Sequence, residues 1–173
     1  ERDLAMRLRE YFRYRHSVDM RVSGIVNLLQ VMSPSLQREV ANTTQRSWIL
    51  SIGFFSNASE EFITDIALAL TEDTFPGGEA IIKAGDRANK LFLPSKGVIA
   101  SQGRVFVPGS VLGVDMFYLQ GTRRSYIART LTFTAVRVLT HAKMTEILKM
   151  HPDEAKQVRK RVMWHILREE ILA

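Results

Sequence analysis

The chain has 173 residues, 46% of them hydrophobic, enough for one compact core with a helical extension, and no apolar run reaches the eighteen or so residues of a membrane-spanning helix. With no cysteine it has no disulfide, no thiolate metal site and no cysteine nucleophile, which fits a reducing compartment. Its 24 Lys and Arg against 18 Asp and Glu give a net charge of +6, which favours anionic partners, and no charged-then-apolar amino terminus marks a secretory signal. The positive charge gathers in Arg2, Arg7, Arg9, Arg13, Arg15 and Arg21 and again in Lys156, Arg159, Lys160 and Arg161, and each cluster reads first as a solvated helix face. The sequence opens at Glu1 inside a helical pattern, from which a piece of a longer chain is expected.

From Arg2 to Leu70 the apolar spacing is helical. Leu4, Leu8, Tyr11 and Phe12 mark one stripe, and Ile25, Leu28, Leu29 and Met32 another. Ser33 followed by Pro34 predicts a cap and a preset first turn, with Leu36 and Val40 continuing an apolar face. Asn57, Ala58 and Ser59 before Glu60 and Glu61 put a capping oxygen and two carboxylates at the positive end of a helix bearing Phe62, Ile63, Ile66, Ala67 and Leu70. Near Thr74 the character changes. FPGG supplies a turn, and short apolar runs broken by Gly, Pro, Ser and Asn predict strands over 80–83, 91–93, 97–100, 104–107 and 127–139, with a tight hairpin at Gln102 and Gly103. After Thr140 the helical period returns in Met144, Ile147 and Leu148, stops at His151 and Pro152, and resumes through Val158, Val162 and Ile166. The expected fold class is α+β: an N-terminal helical linker over 1–56, then, over 57–173, a helix, an antiparallel jelly-roll-like β-roll and two C-terminal helices.

Two stretches carry the chemistry. FPGGEAIIKAGDRANKLFLPSKGVIA, from Phe75 to Ala100, sets glycines where a compact roll turns or lets chains pass closely. GSVLGVDMFYLQGTRRSYIA, from Gly109 to Ala128, has a glycine-led turn opening into a predicted short helix and ends in two arginines and a serine. That combination suits a phosphate, because amides at a helix start point at an anion and a guanidinium adds paired charge-assisted hydrogen bonds.

Both stretches resemble the cyclic-nucleotide-binding domain family, and the second resembles its phosphate-binding cassette. In the cAMP-dependent kinase regulatory subunits that cassette reads approximately GELALIYGTPRAA, and Gly121, Thr122, Arg123 and Arg124 fall on its GTPR. The resemblance thus makes Arg124 the phosphate-binding arginine. In pacemaker-type channels the run is approximately GRRTASV, where Arg123, Arg124 and Ser125 fall on RRT, so Ser125 takes a hydroxyl position that contacts phosphate or a guanine amine. The family's GE, whose carboxylate accepts from the ribose 2′-hydroxyl, is replaced by Gly113 and Val114, followed by Asp115 and Met116. One additional residue lies between Gly113 and Gly121 relative to the kinase motif; either Asp115 shifts into the glutamate's role or the carboxylate is missing, and the sequence leaves both open. In this family the last helix closes over the base, which nominates Met163, His165, Ile166 and Arg168.

LREYFRYR, LLQVMSPSLQREV and ILSIGFFSNASEEFITDIALAL are similar to the linker and first roll helix of pacemaker, nucleotide-gated and related potassium channels. The resemblance implies a regulatory domain on the cytoplasmic side of a membrane. It would form a homotetramer through its linker helices, be joined to the channel's transmembrane region, and respond to cAMP or cGMP. An unliganded pocket acting in assembly or gating, and a soluble cyclic-nucleotide-responsive module, stand as alternatives. No helix-turn-helix follows the last helix, so no nucleic-acid partner is expected. His16, His141, His151 and His165 are scattered without ligand spacing and no catalytic constellation stands out, so neither a metal, a cofactor nor an enzymatic activity is expected.

Overall fold

The computed structural model describes residues 4–6, 8–9, 11–13, 31–118 and 121–171. Residues 4–6, 8–9 and 11–13 are helical, and Leu4, Leu8 and Phe12 of the first stripe are exposed. Ile25, Leu28 and Leu29 of the second stripe, with Arg2, Arg7, Arg15, Arg21 and His16, lie outside the described residues.

Helix α1, Pro34–Ser51, begins where Ser33 and Pro34 predict, and buries Ala41, Gln45 and Ile49. The Ser33 hydroxyl does not cap it; it lies 3.2 Å from the Ser35 hydroxyl, and the Gln37 N–H donates to the Ser33 carbonyl. A 3-10 turn, Gly53–Phe55, drives Phe54 and Phe55 into the core. In α2, Glu60–Ala69, Ser59 accepts from the Phe62 N–H while Glu60 and Glu61 occupy the first turn, as the sequence pattern requires.

Among the described residues seven strands follow: β1 Thr71–Phe75, β2 Ala80–Ile82, β3 Lys90–Lys96, β4 Ile99–Ser101, β5 Arg104–Phe106, β6 Ala128–Thr130 and β7 Thr134–Thr140. They make two antiparallel sheets, ordered β1-β7-β3 and β2-β6-β4-β5, which enclose Ile82, Phe92, Ile99, Leu112, Ala128, Val136 and Val138. Gln102 and Gly103 both have positive φ, 50° and 74°, the conformation a two-residue hairpin demands.

One strand was not expected, and other strand bounds are corrected. The segment TEDTF carries four polar residues in five and gives no strand signal, yet it forms β1, an edge strand paired only with β7. The single strand expected over 127–139 is two, β6 and β7, because the chain leaves one sheet and enters the other between them. Strand 97–100 starts later, at Ile99, since Gly97 is a turn residue with φ +86°. Strand β3 also runs on through Pro94, which its edge position allows: beyond the bridge of Phe92 to Leu112 its neighbouring strand is β7, and the register shifts between Pro94 and Lys96.

Helix α3, His141–Met150, is capped by Thr140, and α4 runs Pro152–Ile171. The second core joins Ile49 and Ile52 from the end of α1 to Phe55, Phe62 and Ile66, to Leu91 and Leu139 of the sheet, and to Met144, Val158 and Val162 of the last helices. His151 at the α3–α4 junction meets Asp65 of α2, Nε2 to Oδ2 2.8 Å, fixing the junction against the first roll helix.

Candidate functional site

The loop between β2 and β3 holds the cassette from one side. The Asp86 carboxylate accepts from the Lys83 N–H at 2.7 Å, which closes the loop on itself. The Gly85 N–H donates to the Arg124 carbonyl, the Arg124 N–H to the Asp86 carbonyl and the Ala88 N–H to the Thr122 carbonyl, so 122–124 lie extended against 85–88. Side chains of an extended segment alternate. Arg123 therefore faces out, where its Nη1 donates to the Gly85 carbonyl at 2.7 Å, Arg124 faces in, and Ser125 is again exposed.

From the other side, Leu112 pairs with Phe92 through two backbone hydrogen bonds, and Gly113, φ +89°, turns the chain into a 3-10 helix, Val114–Phe117. A Cβ on Gly113 would lie 2.7 Å from the Lys90 carbonyl oxygen and 2.8 Å from Arg124 Nη2, so only glycine lets the guanidinium pass this close. The expected phosphate-facing helix start is thus a single turn of four residues, and its Met116 and Tyr118 N–H groups already donate to the Gly113 and Asp115 carbonyls.

Arg124 is 3% exposed and fully engaged along one edge. Its Nε donates to Asp115 Oδ2 at 2.8 Å and its Nη2 to Oδ1 at 2.7 Å, a fork-on-carboxylate pair; Nη2 also donates to the Lys90 carbonyl at 2.7 Å. Tyr126 donates its hydroxyl to Asp115 Oδ2 at 3.0 Å. The guanidinium carbon stands 5.9 Å from the Phe92 ring centroid and 6.0 Å from that of Tyr126. Burial pushes the Tyr126 hydroxyl well above its ordinary range, opposed by Arg124 and reinforced by the charge and hydrogen bond of Asp115. The phenol is therefore a permanent donor to the carboxylate. A buried ion pair is tolerated when further hydrogen bonds support it, and here the Lys90 carbonyl supports the guanidinium and the Tyr126 phenol the carboxylate.

In front of this pair lies a cavity of about 180 Å³. It is lined by Gly113, Val114, Asp115 and Tyr126 from the cassette and the segment that leads out of it, by Gln102, Phe106 and Val111 from the hairpin and its exit, and by His165 and Ile166 from α4. The structure thus brings together Gly113, Val114, Asp115, His165 and Ile166 of the residues named from sequence. Arg124 stands behind Asp115, Met116 is sunk in the core, and Arg123 and Ser125 face outward. Met163 and Arg168 are exposed on α4, away from the cavity lining. Tyr126 escaped the sequence reading, although its place two residues after Arg124 in an extended run puts it on the same face. Gln102 and Phe106 reach the site only through tertiary packing of a distant hairpin.

Among the described residues no group of His, Cys, Asp or Glu is arranged to hold a metal, and no helix is long and apolar enough to cross a membrane. The site is built from two sheets rolled around one core, a glycine-led cassette and a helix standing over it, and residues 72–151 match the family model of the cyclic nucleotide-binding domain. Over 155 residues, 87% of its length, the chain is 24% identical to potassium/sodium hyperpolarization-activated cyclic nucleotide-gated channel 4 of Homo sapiens and, over the same extent, 24% identical to channel 1 of Homo sapiens. The likeness reaches beyond the roll, but the aligned region is 13% and 17% of the length of those relatives. Family and relatives together point to a regulatory, non-enzymatic domain.

Proposed function

We propose that the chain is the cytoplasmic regulatory domain of a tetrameric cation channel, and that cAMP or cGMP bound in the cassette cavity shifts α4 and so biases the pore. The observation that carries this reading is the cavity itself, with the cassette turn on one wall and His165 and Ile166 of the last helix on the other. Its volume of about 180 Å³ is below the roughly 300–1,000 Å³ of pockets that enclose whole small-molecule ligands. Enclosing a whole nucleotide there calls for a movement of α4, which would give the ligand the differential affinity between two arrangements that coupling requires, typically worth about 1–3 kcal/mol. The movement has a route to the linker, because Val158 and Val162 of α4 share a core with Ile49 and Ile52 at the end of α1. The exposed stripe of Leu4, Leu8 and Phe12 supports ring assembly through the linker helices.

A second reading keeps the channel domain but leaves the pocket without nucleotide, serving assembly or gating; Val114 in the glutamate position and the engaged edge of Arg124 favour it. Calorimetric titration with cAMP and cGMP, run beside thermal unfolding, separates the two. Nucleotide at a hundred times its dissociation constant adds about 2.7 kcal/mol of stability. A flat response to both nucleotides sinks the nucleotide-sensing reading and leaves the second.

A further inference from the structure

The arginine that would meet a phosphate already has an anion. Both hydrogen-bonding directions along its Nε–Nη2 edge end on the two oxygens of Asp115, at 2.8 and 2.7 Å, so the carboxylate occupies one of the two edges through which a guanidinium takes a phosphate in paired bonds. The pair is built rather than incidental: Asp115 is 5% exposed and Arg124 3% exposed. Gly113 makes room for the guanidinium, Tyr126 adds a third bond to the carboxylate, and the Lys90 carbonyl fixes Nη2 from behind. Asp115 also faces the cavity while Arg124 does not, so an entering ligand meets a negative charge before it meets the positive one.

We infer that Asp115 is the internal counter-anion of the cassette and the residue that sets its ligand preference, holding Arg124 in place of a phosphate. The folded site then discriminates against the phosphate portion of a nucleotide and offers its aromatic and apolar walls to the base and sugar. A phosphate-bearing ligand gains Arg124 only by displacing the carboxylate. Asp115 is thus neither a stand-in for the ribose-binding glutamate nor a bystander. For the identity of the organic ligand this rests on the nucleotide reading; the competition between carboxylate and phosphate does not.

The test uses the whole chain, with cAMP, cGMP, adenosine, guanosine and inorganic phosphate as probes. In the wild type, phosphate leaves thermal stability unchanged, and each cyclic nucleotide binds within about tenfold of its nucleoside, since the charge-assisted bonds that would separate them by about ten- to hundredfold or more are already used. Asp115→Asn frees the guanidinium, tightens cyclic nucleotide binding by about ten- to hundredfold while leaving nucleosides unaffected, and makes stability rise with phosphate. Asp115→Asn with Arg124→Gln abolishes the gain. Because an unpaired buried arginine can unfold the protein, Asp115→Ser, which leaves room for an anion, is measured in parallel, with refolding by phosphate as a readout. Wild-type stabilisation by phosphate, a wild-type preference for cyclic nucleotide far above tenfold, or weaker nucleotide binding in Asp115→Asn overturns the inference. So does absence of any phosphate or nucleotide effect in both Asp115 variants. If the wild type ignores every nucleotide and nucleoside while the Asp115 variants respond to phosphate, the nucleotide reading fails and the counter-anion stands.

Discussion

At Gly97 the chain reverses between β3 and β4 with φ +86°, and a Cβ there would run into the Phe133 carbonyl oxygen and lie 2.6 Å from the Thr134 hydroxyl. Both obstacles belong to the segment leading into β7, where the backbone is fixed by its ladder and has little freedom to yield. Gly97→Ala is expected to lose about 1–3 kcal/mol in urea unfolding, from the left-handed conformation and the collision together. A change within ~0.5 kcal/mol, the range of an ordinary surface substitution, would show that the turn can move aside. At this scale Arg124 was legible as a candidate, since it follows a glycine turn in a run that resembles the cassette. The partner of Arg124 was not. Nine positions and a 3-10 turn separate Asp115 from it, so their meeting depends on how Gly113 turns, which the residue types alone leave undetermined.

Ser59 links two elements. It caps α2 by accepting from the Phe62 N–H, and it lies beside Glu154 in the first turn of α4, where its hydroxyl above all holds the Glu154 carboxyl below the usual carboxylate range. A carboxyl whose folded value is depressed contributes stability that is present above its unfolded value and fades as pH falls through the folded one. Ser59→Ala should therefore cost about 1 kcal/mol at neutral pH, mostly from the lost cap. A smaller part of the deficit should disappear below the carboxylate range. Urea unfolding of wild type and variant across acid to neutral pH checks this; a deficit that grows in acid would refute the sign. The α2 cap was plain in the sequence because it is written in adjacent residues. Strand β1 was hidden for the opposite reason: TEDTF has little strand character of its own and is recruited by β7, five residues in register from Thr71 opposite Val138 to Phe75 opposite Thr134.

Across the whole molecule, the linker and the roll are joined by more than chain connectivity. Arg137 of β7 stacks its guanidinium 4.2 Å from the ring centroid of Trp48 on α1, and burial lowers its pKa against the opposing charge of Glu72. A desolvated cation on an indole face is worth about 0.5–2 kcal/mol. A double-mutant cycle of Trp48→Leu and Arg137→Met, read by urea unfolding, should return a coupling in that range, with both single variants more readily cleaved by protease between α1 and α2. A coupling below ~0.3 kcal/mol would leave the attachment of α1 to its buried Ala41, Gln45 and Ile49 and to the Arg46–Glu60 pair with α2.

Sequence by itself determined what neighbours in the chain can enforce: the helix starts at Pro34 and Glu60, the Gln102–Gly103 hairpin, the stop at Pro152, the order of helices and roll, and the cassette as the place to look. These follow from caps, turn conformations and periodicities that act over a few residues. Tertiary structure alone decided that 127–139 divides between two sheets, that a distant hairpin completes the cavity beneath the last helix, and that an aspartate from the cassette's own turn lies on its arginine. Each of these depends on distances between segments far apart in the chain, and no local preference specifies such a distance.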